Sequence, residues 1–429
     1  MIIKKVLKSI LPDSYRVFLR RNFKFLHVLH FKYNVLTYNR TIHKKVDRIK
    51  NSNRINIMFY VFNLAMWKSD KLLKLLKENP RFNVFVVPFL VETDSIQYNK
   101  ANNEKIVQYF RAKSIEVREG FNFSTNKQIH VDSFYADIVF YPQPYIIDIN
   151  VLPHKALMAY IPYCYIMEDM AIFHNTLFQN ICWRMYYPTQ MHKEMEEKYA
   201  FNKAVNVKVV GYPMSDYLLS NETIDYSMWK INNSSLKRVI WAPHHSILTD
   251  DPLDYSNFLE IADGMLEIAS KYKEKMQFIF KPHPRLKAKL YQLPSWGVDK
   301  TDAYYAAWAE SPNCNMVDGN YVELFRSSDC MIHDCSSFTG EYLYLNKPVL
   351  FVTKKERVEQ FNDFAQQCFD VHYKGKTLKD IETFLENVLN EIDILKNDRT
   401  TFINNVLLSG SNKKVSEIIY NDIVSSFKR

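Results

Sequence analysis

The sequence predicts an α/β protein of two doubly wound domains in tandem, preceded by a basic helical segment. Three observations lead there. At 429 residues the chain exceeds one ordinary core, and two domains of about 150–200 residues each are the expectation. Short apolar runs alternate with amphipathic ones, first in one half and then in the other. All the excess positive charge lies at one end: residues 1–50 hold 13 Lys/Arg against Asp13 and Asp47, or +11, whereas the rest holds 43 against 45, or −2.

The basic segment interleaves Ile, Leu, Val and Phe with Lys and Arg, a pattern suited to helices lying on an anionic membrane surface. A basic helix packed on the protein's own surface is the alternative. Beyond it, RINIMFYVF (54–62) reads as a strand and WKSDKLLKLLKEN (67–79) as an amphipathic helix stopped by Pro80. FNVFVVPFL (82–90) is a strand and EKIVQYFRAK (104–113) a helix. SIEVRE (114–119), ADIVFYPQPY (136–145), LMAYIPYCY (157–165) and NVKVVGYP (206–213) continue the alternation. Weak periodicity and an NNSS tract in 214–236 mark the domain junction. The second set runs KRVIWAPHHS (237–246), a helix over 258–274, MQFIFKPHPRL (276–286), NCNMVD (313–318) and a helix over 321–329. CMIHD follows as strand, SSFTGEYLYLN as helix and PVLFV as strand, and 377–398 and the last thirty residues read as helical. The domains are then 1–50, the membrane-associating segment, 51–215 and 216–429.

Composition excludes several function classes. A hydrophobic content of 47% argues against disorder. With only eight glycines, and neither GxGxxG nor GxxxxGK[ST], a glycine-rich phosphate loop is absent. The six cysteines (164, 182, 314, 330, 335, 368) show no CxxC spacing and read as reduced and buried. No run of 18 apolar residues appears, and the start lacks a secretory pattern. No stacking motif supports nucleic-acid binding.

The chemistry gathers at strand ends, where ligands of doubly wound sheets bind. In DCSSFTGE, Asp334 ends a strand, and Ser336 and Ser337 begin a helix whose free N–H groups offer an anion site without glycine; plain N-capping by Ser336 is the alternative. In FKPHPRL, Pro282 and Pro284 hold His283 beside Lys281 and Arg285. WAPHHS places His244 and His245 at another strand end. A zinc site from His244, His245 and His283 is conceivable, but adjacent histidines share one metal poorly and no HExxH accompanies them, so no metal and no cofactor are expected. Gly211, Tyr212 and Pro213 form a turn, and Asp216 follows.

The order GYPMSD, WAPHHS, FKPHP, SDCMIHDCSSFTGEYLYLNKPVLF over roughly 180–355 resembles the CDP-glycerol glycerophosphotransferase family, the teichoic-acid polymerases and their capsule-forming relatives. There a GxPRxD turn, a YAP-type strand end, an RPHP-type loop and an SDxxITDYSSxxxDYxxLxKPxxF segment recur in that order. The resemblance implies a GT-B-like fold, two Rossmann-type domains around a cleft, and peripheral attachment to the cytoplasmic face of the bacterial plasma (inner) membrane. It also implies that His283 matches the RPHP histidine, that Asp334, Ser336 and Ser337 surround the donor diphosphate, and that Glu341 replaces an Asp. Lys281 and Met214 stand where the family has Arg. His244, His245, Lys281 and Gly211 complete the expected donor side. The WHGTPLK-like segment of the polymerases has no counterpart here: the chain reads HKALMAYIPYCYIMEDMAIFH. Glu168 and Asp169 are therefore the candidates for activating the acceptor, with His154 and His174 behind them. The implied reaction moves glycerol phosphate, or a related alditol phosphate, from a CDP-activated donor to a hydroxyl of a membrane-linked surface glycan, releasing CMP. Two alternatives are a GT-B glycosyltransferase using a nucleotide sugar and a non-catalytic membrane-bound scaffold.

Overall fold

A computed structural model of the chain describes residues 13–91, 94–144, 152–248, 255–319, 321–353, 359, 361–408 and 413–428. Two parallel sheets form its frame. In the first, β1 (Ile55–Val61), β2 (Phe82–Pro88), β3 (Glu116–Val117), β6 (Ile138–Tyr141), β7 (Leu157–Tyr160), β8 (Arg184–Tyr187) and β9 (Val207–Val209) lie in the order β3-β2-β1-β6-β7-β8-β9. A small antiparallel ribbon, β4 (Phe121–Asn122) with β5 (Lys127–Gln128), lies apart from it. In the second, β10 (Lys237–Ala242), β11 (Met276–Phe280), β12 (Cys314–Met316), β13 (Cys330–His333), β14 (Val349–Val352) and β15 (Tyr373–Gly375) lie in the order β12-β11-β10-β13-β14-β15. Each order reverses beside the first strand of its sheet, between β1 and β6 and between β10 and β13. Such a switch point leaves a crevice at the carboxyl edge.

The central strands are apolar on both faces because helices cover both sides. All residues of β11, β13 and β14 are buried. The helix Asp70–Glu78 buries Leu72, Leu73 and Leu76, the stripe its spacing predicted. The helix expected at 104–113 begins earlier, at Ile96, because the Ser95 side chain accepts the Tyr98 N–H as its cap. The single helix expected over 377–398 divides into Leu378–Leu389 and Lys396–Phe402. Glu391 at φ 58° lies in the left-handed region and breaks the run. Strands β8 and β15 had no clear signal: each is short, and RMYY and YKG lack alternation.

The basic segment is a helix from Asp13 to Lys50; residues 1–12 fall outside the described ones. Its later half docks on the first domain. Val35 and Ile49 are buried, Lys45 Nζ donates to the Ala156 carbonyl at 3.0 Å, and Arg48 pairs with Asp137 at 3.2 Å. Val28, Leu29, Tyr33 and Leu36 stay exposed. Among the described residues no helix is long and apolar enough to cross a membrane.

The last helix, Val415–Ser426, crosses back to the first domain, burying Val415, Ile419 and Ile423 in the same cluster as Ile57, Leu76 and Val86. Asp216, which follows the Gly211, Tyr212 and Pro213 turn, caps that helix: its carboxylate accepts the Val415 N–H at 2.8 Å and the Ser416 N–H at 2.9 Å. At the seam Gly340 lets its helix ride onto Tyr165, where a Cβ would lie 2.8 Å from Cδ2 of the ring. The Tyr165 and Tyr344 hydroxyls meet at 2.8 Å across the same seam.

Candidate active site

Three loops leave the carboxyl edge of the second sheet side by side, because β11, β10 and β13 are neighbours. They carry His283, His244 with His245, and Asp334 with Ser336 and Ser337. The His283 N–H donates to the Pro243 carbonyl at 3.0 Å, and Cys335 Sγ to the Ala242 carbonyl at 3.2 Å, so the middle loop ties the outer two together. The three imidazoles form one cluster: ring centroids are 4.3 Å apart for His244 and His245, 4.2 Å for His245 and His283, and 5.1 Å for His244 and His283.

Backbone donors decide how two of these rings face the cleft. Arg285 N–H donates to His283 Nδ1 at 3.1 Å, and Ser246 N–H to His244 Nδ1 at 3.2 Å. With Nδ1 accepting, each neutral ring carries its proton on Nε2. Burial and mutual proximity push His244 down to about 3 and His283 to about 2, so both are neutral at physiological pH. The ring nitrogens lie within 4.8 Å of one another, close enough to suggest a metal. A metal on Nε2 would move each proton to Nδ1, against a backbone N–H. The donor set therefore suits an anion, which Nε2–H groups can bind.

Ser336 and Ser337 open the helix Ser336–Glu341, and Cys335 rather than Ser336 occupies the cap position. Neither hydroxyl has a hydrogen-bond partner among the described residues. Both are part-exposed and available to a ligand.

The acidic residues divide by role. Asp334 is buried and points inward, accepting the His244 N–H, the Ser256 hydroxyl at 2.9 Å and the Asn257 N–H at 3.0 Å. It holds the two loops from beneath rather than meeting a diphosphate. Burial raises its pKa to about 6 despite those bonds. Glu341, 1% exposed, accepts the Tyr212 hydroxyl at 2.9 Å and the Tyr321 hydroxyl, and works as a buried clamp at the seam. Gly211 is likewise structural: its φ of 95° needs glycine, and a Cβ would meet Val415 Cγ2 at 2.8 Å.

From the first domain, Glu168 enters the cleft. Tyr255 OH donates to Glu168 Oε1 at 3.2 Å, and the Tyr255 ring lies 5.6 Å from His244. Burial raises the Glu168 pKa. Asp169, its neighbour, turns to the surface and pairs with Lys198 at 3.0 Å and the Tyr199 hydroxyl at 2.6 Å, which hold it below the usual carboxylate range. His174 is buried against Glu196 at 3.2 Å, and His154 is exposed, its ring 6.0 Å from that of His130. The geometry thus brings together Glu168, His244, His245, His283 and Lys281, sets Ser336 and Ser337 on the adjoining turn, and leaves Asp169, His154 and His174 elsewhere.

Sequence reading overlooked Lys68, Ser246, Tyr255 and Ser256. Lys68 follows the end of β1, so the strand-end rule applied to the first half would have found it. Ser246 and the 255–257 turn carry no spacing signal.

Comparisons with known proteins agree with this fold. Solved structures of similar fold include a variant of the wall teichoic acid polymerase TagF, at 13% identity, 93% of this chain, 98% of that chain and TM-score 0.56. UDP-GlcNAc 2-epimerase from Neisseria meningitidis bound to UDP-GlcNAc matches at 14% identity, 87% of this chain, all of that chain and TM-score 0.56. The S. aureus MnaA–UDP structure matches at 11%, 86% and 96% with TM-score 0.53. They establish the GT-B-like fold of two Rossmann-type domains. No curated protein sequence is significantly similar to the chain. The profile of the CDP-glycerol:poly(glycerophosphate) glycerophosphotransferases matches residues 183–425, which hold both the imidazole cluster and the serine turn. More than half of the sequence lies in that match, and the chain belongs to the CDP-glycerol glycerophosphotransferase family, a family of transferases.

Proposed function

We propose that the protein transfers glycerol phosphate, or a related alditol phosphate, from its CDP-activated form to a hydroxyl of a membrane-linked glycan or teichoic-acid-like acceptor, with CMP as leaving group. The observation that carries this reading is the gathering of neutral Nε2–H imidazoles at the β10/β13 switch point, with Glu168 of the other domain alongside and, on the adjoining turn, two serine hydroxyls that have no partner among the described residues. The likeness in fold to TagF, solved after soaking with CDPG, supports the choice of donor.

In this mechanism the acceptor oxygen attacks the phosphorus bearing the alditol. A new P–O bond forms as the bond to the CMP phosphate oxygen breaks, and the departing electron pair stays on that oxygen. His283, His244, Ser336 and Ser337 stabilise the charge developing there. Glu168 takes the proton from the acceptor hydroxyl, and its raised pKa makes it a better base than an exposed carboxylate. Lys281 contributes a positive charge beside the imidazoles.

The basic helix supports residence at the cytoplasmic face of the bacterial plasma membrane, in cell-envelope or capsule synthesis. Leu29, Tyr33 and Leu36 lie along one exposed line of that helix, and residues 1–50 carry +11.

Incubating the purified chain with CDP-glycerol, CDP-ribitol and common nucleotide sugars, and identifying the nucleotide released, tests the reading. CMP from a CDP-alditol is expected. Release of a nucleoside diphosphate from a sugar donor would instead favour a glycosyltransferase, and binding without turnover a scaffold.

A further inference from the structure

The first sheet has its own switch point, between β1 and β6, and Lys68 lies on the loop that leaves β1. Its side chain reaches the seam, 8% exposed, with Nζ 4.5 Å from the centre of the Tyr321 ring of the second domain. Lys281, 6% exposed, lies over that same ring at 5.6 Å and over Phe338 at 6.0 Å. Two desolvated ammonium groups, one from each domain, thus share one aromatic platform.

The buried carboxylate that acts on both is Glu341, and the Tyr212 and Tyr321 hydroxyls occupy its oxygens. Among the described residues neither lysine has a carboxylate oxygen within 4.0 Å; Lys68 donates to the Ala65 carbonyl at 2.8 Å. Asp318 also acts on Lys281 but is exposed, so inside the seam two cations face one buried carboxylate, an excess of positive charge there. Buried charge without a partner is costly, and a bound anion removes that cost. The location is also right: Lys281 is two residues from His283, and Phe338 directly follows Ser337.

We propose that Lys68 and Lys281 together hold a phosphate group at the domain seam, so that both domains grip one anion. This rests on the glycerophosphotransfer reading for its substrates, where phosphate comes from two sources: the donor diphosphate or the phosphodiester at the end of a growing acceptor. Burial has pulled both lysines below the ordinary range, Lys68 to about 8, as expected of ammonium groups held without a close partner.

The test measures equilibrium binding of pyrophosphate, CDP-glycerol and a short glycerol-phosphate oligomer to the full chain. It compares wild type, Lys68→Met, Lys68→Arg and the double variant Lys68→Met/Glu341→Gln. Lys68→Met should weaken at least one ligand by on the order of tenfold, with melting temperature unchanged or higher, and Lys68→Arg should keep most of the affinity. Loss confined to CDP-glycerol and pyrophosphate identifies the donor, and loss confined to the oligomer identifies the acceptor. Unchanged affinity for all three overturns the proposal. So does recovery of affinity in the double variant, which would make Lys68 a mere counter-charge to Glu341. If Lys68→Met alone does not fold, the double variant decides. Absence of CMP release by wild type would defeat the glycerophosphotransfer reading while leaving Lys68-dependent pyrophosphate binding standing.

Discussion

Tyr255 of the second domain donates its hydroxyl to Glu168 of the first across 3.2 Å, beside the ring of His244. One hydrogen bond thus joins the proposed base to the side of the cleft that holds the imidazoles. Relative movement of the domains would change base position and anion binding together.

Glu168→Gln should lower turnover by roughly a hundredfold or more while leaving CDP-glycerol affinity within a few-fold of wild type. The pH profile gives an independent check. A base must be deprotonated, and burial raises this carboxyl, so activity should fall on acidification at a higher pH than an exposed glutamate would set. The acid limb of kcat should disappear or shift in the variant.

His283→Ala should reduce CMP release by roughly a hundredfold. His283→Gln, whose amide can still present an N–H, should recover part of that loss. Full activity in the alanine variant would remove His283 from the mechanism.

Asp334 should make stability pH-dependent in the direction opposite to most carboxylates. Its folded pKa, about 6, lies above the ordinary 3.8, so its favourable contribution is complete below about pH 4 and lost as pH rises through 6. The difference amounts to about 3 kcal/mol. Chemical unfolding of wild type and Asp334→Asn from pH 4 to 7 should show a flatter profile for the variant.

Asp216→Ala should leave the first N–H groups of the helix Val415–Ser426 without their acceptor. A cost of about 1–2 kcal/mol is expected. Hydrogen exchange should quicken first at residues 415–418, before the sheets are affected.

Vesicle co-sedimentation should show binding to anionic but not to neutral vesicles, weakening as salt rises. Leu29→Glu combined with Leu36→Glu should weaken it further without lowering the melting temperature, since both side chains are exposed. Equal sedimentation with neutral vesicles would oppose the electrostatic account.

Much of the fold was legible because buried parallel strands leave continuous apolar runs, as in INIMFYV and MQFIF, and amphipathic helices leave stripes such as Leu72, Leu73 and Leu76. The proline-framed His283 and the paired serines were legible for the same local reason: strand ends are visible in sequence, and ligands gather there. The destination of the last helix was not, since an apolar stripe does not say which sheet it covers.

The alternation of elements, the concentration of charge in 1–50 and the residue types at each strand end can be read along the chain, because all are properties of neighbours in it. Packing in three dimensions sends Glu168 into the cleft and Asp169 to solvent, turns Asp334 inward, and sets Lys68 and Lys281 over one ring. Successive side chains differ in direction, and residues hundreds of positions apart acquire a common environment only through packing. Burial and partners then set which carboxyl is a base, which a strut and which a surface ion pair.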